Sequence, residues 1–379
     1  MKKVISLLLS ALLLLSTAAC GASNLPPESQ EPLSVVSEAP EPTPEPTATP
    51  SPAPEPTPEP TPVSEPSSAE EAAPALGFTN PLTGEPTETD ISANRPIVAM
   101  LNTIKQALPQ SSCGMADMLY EIPEEGGITR VMAVYQDITD IGNIGTIRST
   151  REYYLFLAMG LDAIMIHAGC SDSATAILEE TGYGTLDFMS HGSLYWRDAY
   201  RRDNVGTEHS LYTSSDNIQN YLADTTSIRT VHEEGFSYPY TFTEDGTPVD
   251  GEPAREISVS FSGYKQTDFV YDEATKTYSV FAYGDPYVDD TTDTQVAVTN
   301  VIVIPTKQST KEGSSLQEFD LSSGTGYYAC GGQYIPITWE KGDTYECLRF
   351  YRADGTPLDL GVGTSYICIC GLDRPISFQ

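Results

Sequence analysis

Three regimes of hydrophobic and polar patterning follow one another along the 379 residues. The first is a continuous apolar run, Val4 to Leu15, behind Lys2 and Lys3 and ahead of the small residues Thr17, Ala18 and Ala19. The second, from Gly21 to about Leu76, has almost no position that could be buried and predicts no element. The third starts at Gly77 and carries the periodicities of a folded chain. Within it Pro96–Leu101, Met118–Ile122, Ile128–Gln136 and Asp162–His167 are short apolar runs that predict buried strands. Ser149–Met159 predicts an amphipathic helix capped by Ser149 or Thr150, with Tyr154, Leu155, Leu157 and Ala158 toward the core. Ser171–Glu180, stopped at Gly182, and Ser215–Ala223 predict two more helices. Strands alternating with helices predict an α/β layered domain.

The pattern changes at Thr243–Ala254, which holds two Asp-Gly pairs and two prolines and is where a domain boundary is expected. Beyond it the period is two: Glu256–Phe261, Asp268–Tyr271 paired with Thr277–Tyr283, Gln295–Ile304, Gly326–Cys330, Tyr345–Tyr351 and Ser365–Cys370. The expected fold class is therefore α+β: an α/β layered domain over 77–243, then a mostly antiparallel β-rich domain over 244–379.

The first regime has the order of a secretory signal: positive end, apolar middle, small residues. Its apolar run is shorter than the roughly 20 residues that span a bilayer. Small residues just before Cys20 form a lipobox, which makes 1–20 a lipoprotein signal and Cys20 the acylated residue that anchors the mature protein to the membrane. The position three before Cys20 is Thr17, where Leu is usual. Residues 21–76 then form a stalk. Sixteen of the 29 prolines lie there, with ten Glu and no Asp, Lys or Arg, so the segment is expected to be extended and disordered.

Lys and Arg number 20 against 53 Asp and Glu, a net charge of −33, which argues against a nucleic-acid partner. Only ten of those acidic residues belong to the stalk, so the folded part is itself strongly acidic. Beyond Cys20 there are six cysteines: Cys113, Cys170, Cys330, Cys347, Cys368 and Cys370. An even number suits disulfides in an exported domain, with fifteen pairings open among six thiols. No C-x₂-C pair and no HExxH spacing of the four histidines is present, and no metal or other cofactor is expected. The acidic run Asp285, Asp289, Asp290, Asp293 lacks the order of an EF-hand and is expected to be a solvated turn.

In so acidic a chain the basic residues carry the information. Arg130, Arg148, Arg151, Arg197, Arg201 and Arg202 fall within 73 residues, and no Lys occurs between Lys105 and Lys265. Arginine's planar fork pairs bidentately with carboxylate or phosphate, whereas lysine acts as a point charge. Salt bridges to the abundant Asp and Glu are the competing explanation. In Leu161–Thr175 a strand ends at His167 and a helix starts near Ser171, a place where α/β sheets bind anions. Ser171 could be a helix cap or, by a partial likeness to G-x-S-x-G, a nucleophile. Tyr195–Tyr212 brings aromatic rings, three Arg and His209 into eighteen positions and suits a sugar or another planar ligand. Arg148, Arg151, His167, Arg197 and His209 are the expected ligand-binding residues.

The chain also resembles the YerB-like family of bacterial lipoproteins. The strings are Asn80–Gly84, Arg95–Val98, Ala116–Glu121, Glu125–Arg130, Gly145–Tyr153, Asp162–Ile164, His167–Gly169, Trp196–Asp198 and His209–Tyr212, with Asn300–Val303 and Trp339–Lys341 in the β-rich part. The family usually has Gly at the position of Cys170 and Asn at that of Ser210. The resemblance implies a lipid-anchored, extracytoplasmic protein of two domains; it supplies no reaction.

Three readings follow. The first has the arginine and histidine cluster binding an anionic group, such as a glycan carboxylate or a phosphodiester of the cell envelope. The second has the same pocket catalysing hydrolysis or transfer, with His167 or His209 as base and Glu121, Glu125 or Asp198 orienting it. The third has the tyrosine-rich β domain docking a protein partner.

Overall fold

The computed structural model describes residues 77–379, so the signal, Cys20 and the stalk lie outside the described residues. Strands from both sides of Thr243–Ala254 enter one eleven-stranded sheet. From one edge it runs Glu252–Pro253, Gln333–Lys341, Ser323–Cys330, Asn300–Thr306, Ser365–Gly371, Met118–Pro123, Thr129–Tyr135, Ile97–Asn102, Ile164–His167 and Leu186–Asp187, with Leu348–Tyr351 also on Gln333–Lys341. The join is Ser365–Gly371, parallel to Asn300–Thr306 on one side and to Met118–Pro123 on the other. The expected α/β layered domain followed by a mostly antiparallel β-rich domain is met in part. The sheet is mixed, both halves build it, and the chain is mostly β with four α-helices among the described residues.

The reason is visible in the burial. Ile97–Asn102, Met118–Pro123, Thr129–Tyr135 and Ser365–Gly371 are buried at every position. Strands that are apolar on both faces need cover on both faces. One face, with Val98, Met100, Met118, Tyr120, Ile302 and Ile367, is covered by helix α1, Glu152–Gly160. The other face, with Ala99, Leu101, Val131 and Cys368, packs on a six-stranded antiparallel sheet through Ile257, Val259, Phe269 and Val280.

Helix α1 differs from its expectation in two ways. It is buried almost all round, and its N-cap is Arg151, whose side chain makes no capping bond. Neither expected cap is free: Ser149 Oγ donates to the Ala168 carbonyl at 2.8 Å, and Thr150 pairs with Cys170 in a parallel bridge. Two tyrosine hydroxyls hold the helix to the sheet, Tyr153 on the Pro123 carbonyl at 3.0 Å and Tyr154 on the Arg130 carbonyl at 2.8 Å. Helix α2, Asp172–Thr181, has the expected ends: Ser171 Oγ accepts from Ala174 N at 3.2 Å, and Gly182 ends it in the left-handed conformation. Ser171 is thus a cap. Helix α4, Ser215–Asp224, is capped by Ser214.

Two further expectations change. All six cysteines of the described residues are free thiols, five of them buried. Asp289 is not on a solvated turn. It is fully buried and accepts hydrogen bonds from the backbone amides of Ser112, Gly114 and Thr291 at 3.1, 2.6 and 2.7 Å. A carboxylate that gathers three amides organises the loop 110–114 around itself.

Candidate anion-binding site

A small antiparallel sheet carries the site: Asn143–Gly145, Leu211–Ser214 and Trp196–Arg197, in that order. Sequence periodicity did not reveal it, because strands of two to four residues are too short to show a period. Arg197 lies opposite Leu211, and Trp196 opposite Tyr212. Successive side chains of a strand point to opposite faces, so Trp196 and Arg197 serve different cavities.

The cavity on the Arg197 face has a volume of about 280 Å³ and is lined by Ile147, Arg148, Ala168, Met189, Arg197, Thr207, Glu208 and Leu211. It is the size for one compact charged group. Arg148 is fixed from both sides: its amide donates to the Met100 carbonyl at 2.8 Å, and its own carbonyl accepts from Ala168 N at 3.0 Å. Its Nη1 donates to the Glu208 carbonyl at 3.1 Å. Arg197 Nη1 donates to the Thr207 carbonyl at 2.5 Å and approaches Ser210 Oγ at 3.4 Å. Both guanidinium groups thus spend donors on neutral oxygens and retain others.

The remaining arginines divide. Arg130 meets Glu124 at 2.6 Å, Arg151 grips Glu125 with Nε at 2.9 Å and Nη2 at 2.7 Å, and Arg202 pairs with its neighbour Asp203. These are the salt bridges that the competing explanation required. Arg201 donates to the carbonyls of Ala107 and Pro109 at 2.8 and 2.6 Å and stands 5.8 Å from the centre of the Tyr212 ring. Among the described residues Arg148, Arg197 and Arg201 form no ion pair with a carboxylate, while Arg130, Arg151 and Arg202 do. Burial lowers the pKa of Arg148, and the neighbouring Arg130 charge adds to that effect. The charges of Glu124 and Glu208 oppose both.

Glu124 explains how so many cations sit together. It is fully buried between Arg130 and Arg151, at 2.6 and 3.4 Å; burial pushes its carboxyl up and the two guanidinium groups oppose that.

The two histidines behave differently. His167 is fully buried with both ring nitrogens used: Nδ1 lies 2.8 Å from the Gly169 carbonyl and Nε2 2.8 Å from Thr185 Oγ1. Burial lowers its pKa, and a neutral ring with Nδ1–H satisfies both contacts. It supports the turn beneath Ala168 without reaching the cavity. His209 Nδ1 lies 2.8 Å from Asn102 Nδ2, which donates to it. That leaves the proton on Nε2, which is 3.5 Å from Glu208 Oε1 on the rim of the cavity. Of the five expected ligand-binding residues, Arg148 and Arg197 meet in one cavity, His209 stands behind its rim, and Arg151 and His167 are engaged elsewhere.

The expected acid partners of a catalytic histidine are also engaged elsewhere. Glu121 is fully buried against Lys265, Glu125 is held by Arg151, and Asp198 caps helix α3, Ala199–Asn204, through the Arg201 amide at 2.7 Å.

Another cavity, about 510 Å³, lies away from these residues, against Met159, Asp162, Tyr183, Arg229, Phe236 and Tyr345. Its arginine is neutralised: Arg229 holds both oxygens of Asp162 at 2.8 Å, with Arg95 at 3.3 Å and His232 Nδ1 at 2.9 Å on the same carboxylate. Sequence reasoning missed this cluster, whose members are up to 137 positions apart and follow no motif.

Comparison with known proteins places the chain. Residues 82–229 match the N-terminal domain, and residues 257–367 the C-terminal domain, of the family described as "Protein of unknown function (DUF3048)". The chain is 29% identical over 277 residues to "Putative lipoprotein YerB" of Bacillus subtilis (strain 168), a match that covers 69% of this chain and 77% of the relative. The crystal structure of the YerB protein from Bacillus subtilis superposes with a TM-score of 0.69 at 26% identity, over 79% of this chain and 99% of that one.

Proposed function

This chain belongs to the DUF3048 family, and from that premise we propose that it is a lipid-anchored protein of the outer face of the cell membrane whose Arg148 and Arg197 bind an anionic group of the envelope, a glycan carboxylate or a phosphate. One observation carries the reading. In a chain with 53 acidic and 20 basic residues, two guanidinium groups line one cavity of about 280 Å³ and form no ion pair among the described residues, with Glu208 the acidic side chain on its wall. Planar forks with free donors suit an oxyanion, and the cavity admits little more than one such group. The anchor rests on the lipobox before Cys20 and on the name of the Bacillus relative.

Calorimetric titration of the whole chain with inorganic phosphate and with glucuronate tests the site. Arg148→Ala is expected to weaken binding by about 1.5–3 kcal/mol, the contribution of a charged hydrogen bond. Arg148→Lys is expected to lose most of the same energy, since lysine cannot form the two-point contact. Full binding by Arg148→Lys would rule out bidentate recognition. For the anchor, Cys20→Ala is expected to release the protein from the membrane into the medium, and retention would overturn the lipid attachment.

A further inference from the structure

The opposite face of the same small sheet borders a second cavity, of about 440 Å³, which is in the range of small-molecule sites. Its walls include the rings of Trp196, Tyr200 and Tyr212 and the charged groups of Arg201, Asp198 and Asp290. Trp196 and Tyr212 are cross-strand partners whose rings stack, 6.1 Å apart at 21°, on the wall of the cavity. Tyr200 sits on helix α3 with 72% of its surface exposed, so its ring is open to a ligand. We propose that this cavity binds a neutral sugar ring of a glycan, with the aromatic surface against the ring's C–H face and Arg201, Asp198 and Asp290 on its hydroxyls.

The charge pattern selects the ligand. A cation in the cavity would face Arg201, which already stands over Tyr212 and is fixed there by the carbonyls of Ala107 and Pro109. An anion would face two carboxylates. Hydroxyl groups both donate and accept, so a polyhydroxylated ring satisfies guanidinium and carboxylate together. Asp198 is held in place by its capping bond to the Arg201 amide, and Asp290 by its amide's bond to the Gln110 carbonyl at 2.8 Å. Pre-positioned polar groups beside an aromatic wall give orientation at low entropic cost. The cavity is distinct from that of Arg148 and Arg197, and the inference stands without the anion-binding reading.

The chain has two tryptophans, and only one is informative here. Trp339 is buried at 1% exposure, whereas Trp196 lines the cavity, so intrinsic fluorescence reports on this site. The experiment titrates the whole chain with N-acetylglucosamine, its trimer and glucose, with choline chloride and sodium phosphate as contrasting probes. A saturable fluorescence change with at least one sugar is expected, absent in Trp196→Phe. Tyr200→Ala should weaken it about tenfold while Tyr200→Phe retains it, as loss and retention of one aromatic contact predict. Asp290→Asn should weaken it without the loss of fold that a buried substitution risks. A response to choline or phosphate and to no sugar would overturn the proposal, as would no saturable response to any probe. Sugar binding unaffected by both Tyr200→Ala and Asp290→Asn would overturn it too.

Discussion

Lys265 Nζ lies 3.0 Å from Glu121 Oε1, with both side chains at 1% exposure or less. Glu121 comes from the Met118–Pro123 strand of the large sheet and Lys265 immediately precedes the smaller sheet's Gln266–Asp272 strand, so the pair bridges the two layers. The carboxylate is fully occupied, accepting also from Thr129 Oγ1 at 2.5 Å, Thr267 Oγ1 at 2.7 Å and the Tyr366 hydroxyl at 2.8 Å.

Breaking one half of such a pair strands a charge in the core. Lys265→Met or Glu121→Leu is expected to cost about 3–5 kcal/mol, whereas the double substitution should cost clearly less than the sum. Urea denaturation of the four proteins checks this. Additive losses would mean that the two groups are independently stabilised by the threonines and Tyr366.

The Asp162 cluster gives a pH dependence. Burial by itself would raise this carboxyl, but hydrogen bonds from His232 and Arg229 and the charge of Arg95 outweigh it and hold it at about 2. An acid depressed below its unfolded value near 3.9 contributes stability that is present above pH ~4 and lost as pH falls toward 2. Thermal melts between those limits should therefore fall less steeply in Asp162→Asn than in the wild type, from a lower starting point. Parallel slopes would remove Asp162 as a source of acid lability.

The thiols provide a third test. Burial pushes Cys347 and Cys370 up to about 12 and Cys113 and Cys368 well above the ordinary thiol value. Cys170 is the partly exposed one, its Sγ 3.1 Å from Thr175 Oγ1. Iodoacetamide applied to the native protein is expected to alkylate Cys170 first among the six, as read by peptide mass, and reductant should leave the melting temperature unchanged. Early labelling of Cys347 or Cys370 would contradict their burial.

What could be read in the sequence depended on how local its cause was. The core strands stood out because burial on both faces leaves near-continuous apolar runs, as in Ile97–Asn102. Gln333–Lys341 did not, although Ile337 and Trp339 are buried, because Pro336 interrupts the run and alternate positions are exposed. The shared sheet was hidden because the parallel pairing of Ser365–Gly371 with Met118–Pro123 joins positions some 250 residues apart. At the site, the scarcity of cations drew attention to Arg148 and Arg197. The same signal flagged Arg151, and only the tertiary placement of Glu124 and Glu125 shows that it is neutralised. His167 was rightly placed at a strand end, but its ring turns inward to Gly169 and Thr185, which no spacing reveals.

The claim that Arg148 and Arg197 form an anion site is tested most directly by thermal melts of the whole chain and of an Arg148→Ala, Arg197→Ala double variant, each with and without inorganic phosphate and glucuronate. A ligand that binds only the native state raises the melting temperature by mass action. The account predicts a concentration-dependent rise in the wild type that disappears in the folded double variant. An equal rise in both proteins, or none in either, would contradict it.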